Sequence, residues 1–391
     1  MPEHVHDQAS LPRLPIERIE AIPARIPTIR PHHLAFATVA AMDVVIVSVT
    51  AGGVVGFGEA ATIGGPRWGE ESPEGIAAIV TQYLAEPMLG QDAAQLNAAE
   101  ARIGRAVRGN AFAKSALSMA LHDAVARARG LSLAALLGGA QAESLPIAWT
   151  LASGDTGRDI EEGEAMLAAR RHRDFKVKIG AHAPEDDIAH VAALARAFAG
   201  RATLRVDVNQ AWDEATAARA LPALAEAGVA MAEQPVAGWN VAAMARLQRA
   251  NPRLSIMGDE GIATPQDALR HAMEGACMAM ALKPGKHGGV AGTRAVAAIA
   301  RAAGLGLYGG TMLEGTIGTL GALQLYATLG DFAWGTELFG PLLLRDSLAT
   351  AAPEYRDFAI HLPRGPGIGT DLDADKLAHY RTDRPRTLHT V

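Results

Sequence analysis

The sequence predicts an α/β protein in which an α+β unit precedes a β/α barrel, and three observations predict it. Eight short apolar runs follow one another beyond about Leu145, most of them separated by Ala-rich stretches with helical spacing. The polar residues that end five consecutive runs, Lys178, Asp207, Glu233, Asp259 and Lys283, stand 24 to 29 residues apart, about the length of one βα unit. The hundred-odd residues before them read as strands first and helices afterwards.

Taken in order, residues 16–60 are strand-like. IERIEAIPARI alternates, and MDVVIVSV and VVGFGEA flank Gly52-Gly53, a hairpin signal. After Pro73 the period becomes helical, through Ile79, Tyr83 and Leu84, then over 96–107 and over 112–126, where Gly130 supplies a stop. LPIAWTL, FKVKIG, TLRVDVN, AMAEQP, SIMGDE, CMAMALKP, GLGLYGGTM and TELFG read as the barrel strands, with helices at 186–198, 215–226, 265–273 and 292–303. Closing such units into a barrel gathers the strand C-termini at one mouth. An open doubly wound sheet would not bring five successive strand ends to a common centre. The expected divisions are a polar leader at 1–13, the α+β unit at 14–140, the barrel at 141–345, and a Pro-rich segment at 346–391 that returns to the N-terminal unit.

The 391 residues are 49% hydrophobic and 20% charged, with a formal net charge of -6 and a pI near 6.1. That balance gives no general attraction to nucleic acid or to an anionic membrane. Cys277 is the only cysteine, so neither an intrachain disulfide nor a thiolate metal cage is available. The leader carries His4 and His6 but neither a basic start nor an apolar core. No apolar run reaches the length of a membrane helix. The expectation is a soluble, cytoplasmic protein.

In RVDVNQAW, strand alternation turns Asp207 and Asn209 to one face and Val206 and Val208 to the other. Asp207, Glu233 and Asp259 offer oxygen ligands only, which suits a hard cation such as Mg2+ or Mn2+ and leaves positions for a substrate carboxylate. The alternative is a structural network in which the three acids pair with lysines; grouping buried like charges without a cation is costly. Lys176 and Lys178 both enter the barrel while Val177 does not. A free lysine, with a pKa of about 10.4, is a poor base at neutrality, and desolvation, a cationic neighbour or a metal lowers it. Lys176 is read as tuning Lys178. Lys283 faces the opposite side of a bound ligand, whereas Lys286, beyond Pro284-Gly285, is expected to have left the strand. A cation gripping a carboxylate, with an amine on each face, is equipped to move the proton alpha to that carboxylate.

KVKIG, DVNQAW, EQP, GDE, ALKPGKHGG, GGTMLEGTIGTL and TELFGPLLL, in this order, resemble the muconate-lactonizing branch of the enolase superfamily. PTIRPHHLA, GEAATIGGPRWGEESP, RGNAFAKSAL and RRHRDFKVKIG are similar to bacterial muconate cycloisomerases. The resemblance implies a modified (β/α)7β TIM-like barrel with an α+β capping domain. Within it Asp207, Glu233 and Asp259 match the metal ligands for Mn2+ or Mg2+. Lys178 matches the acid/base that protonates the enolate in the syn reaction, Lys176 its electrostatic partner, Lys283 the amine across the substrate, and Glu337 a glutamate that hydrogen-bonds the substrate. The implied reaction interconverts cis,cis-muconate, a dicarboxylate from catechol breakdown on the β-ketoadipate route, with muconolactone. The resemblance also implies a homo-oligomer, an octamer.

Two capping loops, 28–33 and 62–68, are expected to close the mouth and read the substrate, with Arg30, His32 and His33 facing a dianion or solvent, and Ile63 as an apolar wall. Asn209 and the backbone of Gly309, Gly310 and Thr311 are expected against the ligand, the last three as N–H donors near strand seven. Trp68 stands where muconate cycloisomerases carry tyrosine, and GPRWG is closer to the loop of chloromuconate cycloisomerases. Gly261 replaces a serine and His287 an asparagine. These departures leave the acids and lysines intact and bear on substrate choice, so chloromuconate cycloisomerase is the alternative. Succinylbenzoate synthase and acylamino-acid or dipeptide epimerases follow it. Sugar-acid dehydratases place histidine where Lys283 stands. A catalytically silent metal-binding or structural oligomer would leave both lysine sites and all three acids without a purpose.

Overall fold

The computed structural model of the chain describes residues 12–33 and 38–383, with the side chains of 32 and 33 left out. The leader histidines and the His33 side chain therefore lie outside the described residues. Strands β1 (Ile16–His33), β2 (Thr38–Ala51) and β3 (Val54–Thr62) form an antiparallel sheet in that order. β2 and β3 are joined at Gly52-Gly53, whose φ of +55° and +75° are the left-handed values of a tight hairpin. Helices α1 (Pro73–Ile79), α2 (Leu96–Ala106), α3 (Ala111–Ala128) and α4 (Leu133–Leu136) follow, α1 running on through one π turn at Val80–Leu84. α3 lies so close on the sheet that a Cβ at Gly58 would stand 2.0 Å from the Ala116 carbonyl oxygen. Glycine at that position lets helix and strand backbones touch.

The barrel then runs β4 (Ser144–Pro146), β5 (Ala148–Leu151), α5 (Thr156–Ala168), β6 (Asp174–Lys178), α6 (Pro184–Ala197), β7 (Thr203–Asp207) and α7 (Glu214–Glu226). It continues with β8 (Met231–Glu233), α8 (Val241–Ala250), β9 (Ser255–Gly258), α9 (Pro265–Glu274), β10 (Ala279–Leu282), α10 (Pro284–His287), α11 (Val290–Ala302), β11 (Gly306–Gly309) and α12 (Thr316–Tyr326). β5 to β11 pair in sequence order as one parallel sheet of seven strands. The run TELFG is not an eighth strand. Thr336 makes a parallel bridge to Gly309 on one side and to Ile147 on the other, so one short stretch closes the ring. Asp155, Asp213, Asn240 and Thr264 each accept the backbone N–H three residues on, fixing where four of the outer helices begin. The strand C-termini face the segment that follows β3, since Lys178, Asn209 and Lys283 share a cavity with Ile63 and Trp68.

α13 (Gly340–Leu343), β12 (Glu354–Arg356), β13 (Ala359–His361) and α14 (Ala374–Tyr380) complete the described chain. The C-terminal segment is less irregular than expected, because β12 and β13 join β4 in a third, antiparallel sheet. Beyond it the chain reaches the N-terminal unit: the Ile368 N–H donates to Asp123 Oδ1 at 2.7 Å, and the Thr382 N–H to the Pro23 carbonyl at 2.8 Å. Glu59 of β3 ties the two units directly by accepting the N–H groups of Gly315 and Gly318, at 2.6 and 2.8 Å, at the start of α12. Cys277 and Met280 are buried, and Met278 between them in sequence is half exposed. Among the described residues no helix is long and apolar enough to cross a membrane.

Candidate active site

The ends of β6, β7, β8 and β9 deliver their polar residues to one place, because parallel in-register strands put their final side chains side by side. Lys178 pairs in register with Asp207, and Asp207 with Glu233. Lys176, nearly inaccessible, points its Nζ at three carboxylates at once: Asp207 Oδ2 at 2.8 Å, Glu233 Oε2 at 2.7 Å and Glu337 Oε2 at 2.9 Å. Lys178 donates to Asp207 Oδ2 at 2.6 Å and to Asn209 Oδ1 at 2.9 Å. On the far side, Lys283 donates to Asp259 Oδ2 at 2.6 Å. The Asn209 amide hands on to Glu260 Oε1 at 3.0 Å, so the two sides form one network.

Lys176, Lys178, Lys283, Asn209, Glu337, Thr311, Ile63 and Trp68, with Thr150, Leu313 and Phe339, line a cavity of about 20 Å3. Room for about one water is too little for a dicarboxylate, so the capping loop bearing Ile63 and Trp68 must move for a substrate to enter. Trp68 lies over Lys283, whose Nζ is 4.5 Å from the ring centroid, a cation–π contact. Arg30 does not face this cavity; it donates to Glu162 Oε1 of α5 at 2.8 Å. The backbone donors expected at Gly309 and Gly310 are consumed by barrel closure, at the Gly335 and Leu282 carbonyls respectively. Gly310 serves the site differently, since a Cβ there would stand 2.7 Å from Lys283 Cε. Its missing side chain gives the lysine stem room.

Two charged residues were not foreseen. Lys286 has left the strand but not the site: from α10 its Nζ donates to Asp259 Oδ1 at 2.9 Å, to the Asp259 carbonyl at 2.7 Å and to the Ala281 carbonyl at 2.8 Å. Glu260 stands half-buried next to Asp259, with its Oε2 atom buried and unpartnered. The second acid of GDE was the visible signal for Glu260, and the apolar runs TELFG and AWTL were the signal for Phe339 and Thr150. Asn209, Gln210, Gln234 and Leu313 take positive φ of 45°, 67°, 37° and 61°. Such values in non-glycine residues cost energy and gather where function holds the backbone.

Electrostatics divides the acids. Burial alone would raise Asp207, but Lys176 and Lys178 bring it down to about 2. Burial opposes the charge of Asp259 too, yet Lys283 and Lys286 hold it far below the carboxylate range. Glu233 goes the other way: burial and then the charge of Asp207 raise it well above that range despite Lys176. Burial, Asp259 and Asp207 push Glu260 up to about 7. For Lys176 burial favours the neutral amine, but Asp207, Glu233 and Glu337 outweigh it and raise the group well above the ordinary lysine value.

Among the described residues no group of three or more His, Cys, Asp or Glu side chains stands in an arrangement that could hold a metal ion. Lysine ammonium groups are interposed between the carboxylates, as the structural-network reading expects. That network is incomplete. Neither Glu233 oxygen has a hydrogen bond although the side chain is buried; Lys176 Nζ is near Oε2 but off the bonding direction. A buried carboxylate raised by its like-charged neighbours and lacking a donor is what a multivalent cation relieves. The unsatisfied oxygens of Glu233 at the end of β8 are of the kind a hard cation takes.

Comparison with known proteins places this geometry. Residues 158–376 match the family model described as enolase C-terminal domain-like, and residues 18–138 match the mandelate racemase / muconate lactonizing enzyme N-terminal domain. A chloromuconate cycloisomerase of Cupriavidus necator is 49% identical over 93% of this chain and 98% of its own length. Muconate cycloisomerase 1 of Pseudomonas putida is 48% identical over 93% and 98%. A crystal structure of muconate lactonizing enzyme from Pseudomonas fluorescens, complexed with muconolactone, superimposes with a TM-score of 0.93 at 48% identity, covering 95% of this chain and all of that one. From the barrel-end network to the sheet that caps it, the chain belongs to the mandelate racemase / muconate lactonizing enzyme family.

Proposed function

We propose that the protein is an isomerase, an intramolecular lyase that interconverts cis,cis-muconate and muconolactone. The observation that carries this reading is the entry of two ammonium groups, Lys178 and Lys283, into one small cavity, each paired with a carboxylate at a strand end, Asp207 and Asp259. The relatives named muconate and chloromuconate cycloisomerase support it. Asp207, Glu233 and Asp259 would hold a divalent cation, Mn2+ or Mg2+. When bound, the cation supplies positive charge for the negative charge that builds on the substrate carboxylate as the ring closes.

This chain's own residues do the rest. Lys178 gives the proton to the carbon alpha to that carboxylate, and takes it back in reverse. Lys176 and Glu337 position Lys178 and the acids by filling the barrel beneath them. Lys283, under Trp68, adds positive charge on the opposite face. Asn209 orients the Lys178 ammonium, and Ile63, Leu313 and Phe339 exclude water. Thr311, whose hydroxyl donates to Glu314 at 2.5 Å, lines the wall, and His33, expected in a capping loop, instead ends strand β1 of the capping sheet.

Chlorinated muconates are the second reading, favoured by one observation: at position 68 the cavity wall is an indole stacked on Lys283, with no hydroxyl for the substrate. The enzyme is expected to act in the cytoplasm as a homo-oligomer, an octamer by family; exposed Trp239, Leu269 and Met273 on the barrel exterior support association. The test is the ultraviolet absorbance of cis,cis-muconate with Mn2+, beside 2-chloro- and 3-chloromuconate and a dipeptide. Consumption of muconate is expected; consumption of chlorinated substrates alone transfers the assignment to the second reading, and turnover of the dipeptide alone contradicts both.

A further inference from the structure

We propose that Phe112 is a positioning residue of the reaction: held between Gly69 of the capping segment and Gly285 beyond Lys283, its ring sets how deep the Trp68 indole stands in the cavity, and so which substituted muconates fit. This rests on the reading above and deepens its account of substrate choice.

Phe112 is buried in the first turn of α3. A Cβ at Gly69 would stand 2.6 Å from Phe112 Cε2, and one at Gly285 would stand 2.6 Å from Cδ1 and 2.7 Å from Cε1. The two glycines therefore press on opposite edges of one ring. Neither takes a left-handed φ, so it is the closeness of the ring, and not backbone conformation, that calls for glycine at both places. Gly69 directly follows Trp68, and Gly285 stands in α10, two residues after Lys283. Trp68 lies against Phe112, with ring centroids 6.4 Å apart and planes at 59°, and over Lys283, whose Nζ is 4.5 Å from the indole centroid. Trp68 and Lys283 both line the substrate cavity. Phe112 stands behind them.

Both sides of this contact are anchored. Asn110, which precedes α3, makes no side-chain capping bond to the helix. Glu71 takes that place from the capping segment, three residues beyond Trp68, and accepts the Phe112 N–H at 2.8 Å and the Ala113 N–H at 3.1 Å. On the barrel side, Ser118 of α3 accepts the Val290 N–H at 3.1 Å. α3 thus holds the capping segment through Glu71 and the barrel through Ser118, with Phe112 as the spacer between them. Interiors are close-packed, so a change of volume at one side chain is felt by its neighbours. A smaller or rounder side chain at 112 lets the indole draw back, and a chlorine substituent gains the room.

The experiment compares the wild type with Phe112→Leu, Phe112→Met and Glu71→Gln on cis,cis-muconate and on 2-chloromuconate. In Phe112→Leu the ratio of kcat/KM for the chlorinated over the unsubstituted substrate is expected to rise about 10-fold, with a smaller change in kcat on muconate. Phe112→Met, closer in volume, should move the ratio the same way by less. Glu71→Gln, which loosens the anchor and keeps the spacer, should raise KM for both substrates and leave the ratio unchanged. A second readout is independent of turnover: acrylamide quenching of Trp68 fluorescence, taken as the difference between each protein and the same protein carrying Trp68→Phe, should increase in Phe112→Leu. Equal loss of kcat on both substrates at unchanged KM, or unchanged quenching of Trp68, shows a merely structural side chain and overturns the proposal. A wild type that consumes none of the muconates overturns the parent reading and the specificity role with it, whereas an active wild type with an unmoved ratio in Phe112→Leu overturns the role of Phe112 alone.

Discussion

The two walls of the cavity are made of opposite materials. The barrel wall brings Asp207, Glu233, Asp259, Glu260 and Glu337 against Lys176, Lys178, Lys283 and Lys286, nearly all of them buried. The capping wall brings Ile63 and Trp68, and the buried Glu59 of the same unit accepts backbone N–H groups of α12. In the proposed reaction, the charge that moves protons is carried at strand ends, where register fixes its position. Shape that selects the substrate is carried on a loop, where exchange of a side chain leaves the network untouched. Chemistry and selection are thus separable by mutation.

The largest effect tests the barrel wall. Asp207→Asn removes the acceptor shared by Lys176 and Lys178, and kcat/KM is expected to fall about 1000-fold, read by the absorbance assay. Gly310→Ala comes next. Its new Cβ would meet Lys283 Cε at 2.7 Å, so the lysine stem must shift, and a misplacement of about 1 Å costs about 100-fold in kcat while the circular dichroism spectrum stays that of the wild type. Full activity in Gly310→Ala would break the claim that barrel-wall positions are set tightly.

Smaller effects sharpen the capping side. Trp68→Phe is expected to change the ratio of kcat/KM for chlorinated and unsubstituted muconate by about 10-fold with a lesser change in kcat. Equal loss on both substrates would show that the loop takes part in chemistry. Glu59 gives the smallest signal, in stability. Burial pushes its carboxyl up to about 7 against the two backbone donors, so the folded chain binds this proton more tightly than the unfolded chain does. That contribution is complete below about pH 4.5 and is lost as pH rises through 7. The Tm of the wild type relative to Glu59→Gln should therefore decline from pH 5 to pH 8; a constant difference contradicts the assignment.

Much of the barrel was legible because each functional residue ends its own apolar run at a regular interval, and strand alternation placed Lys176 beside Lys178 and Asp207 beside Asn209. The hairpin at Gly52-Gly53 and the helices with one apolar face were equally readable. α12 carries no such stripe, since every residue of Thr316–Tyr326 is buried; a helix enclosed on all sides has no polar face to reveal its period. TELFG looked like a strand and closes the barrel through Thr336 alone. Lys286 escaped because a short turn after Pro284 redirects its long side chain beneath Asp259, and spacing rules describe strands, not the turns after them. The use of the Gly310 N–H in barrel closure was hidden because only pairing with β10 reveals it.

The measurement that bears most directly on the account is turnover of cis,cis-muconate in D2O with Mn2+, by the wild type and by Lys178→Ala. The account predicts muconolactone carrying one deuterium, on a single face of the carbon alpha to the carboxylate, from the wild type, and no product from the variant. Deuterium distributed over both faces, or a variant that forms the same labelled product at the wild-type rate, would contradict it.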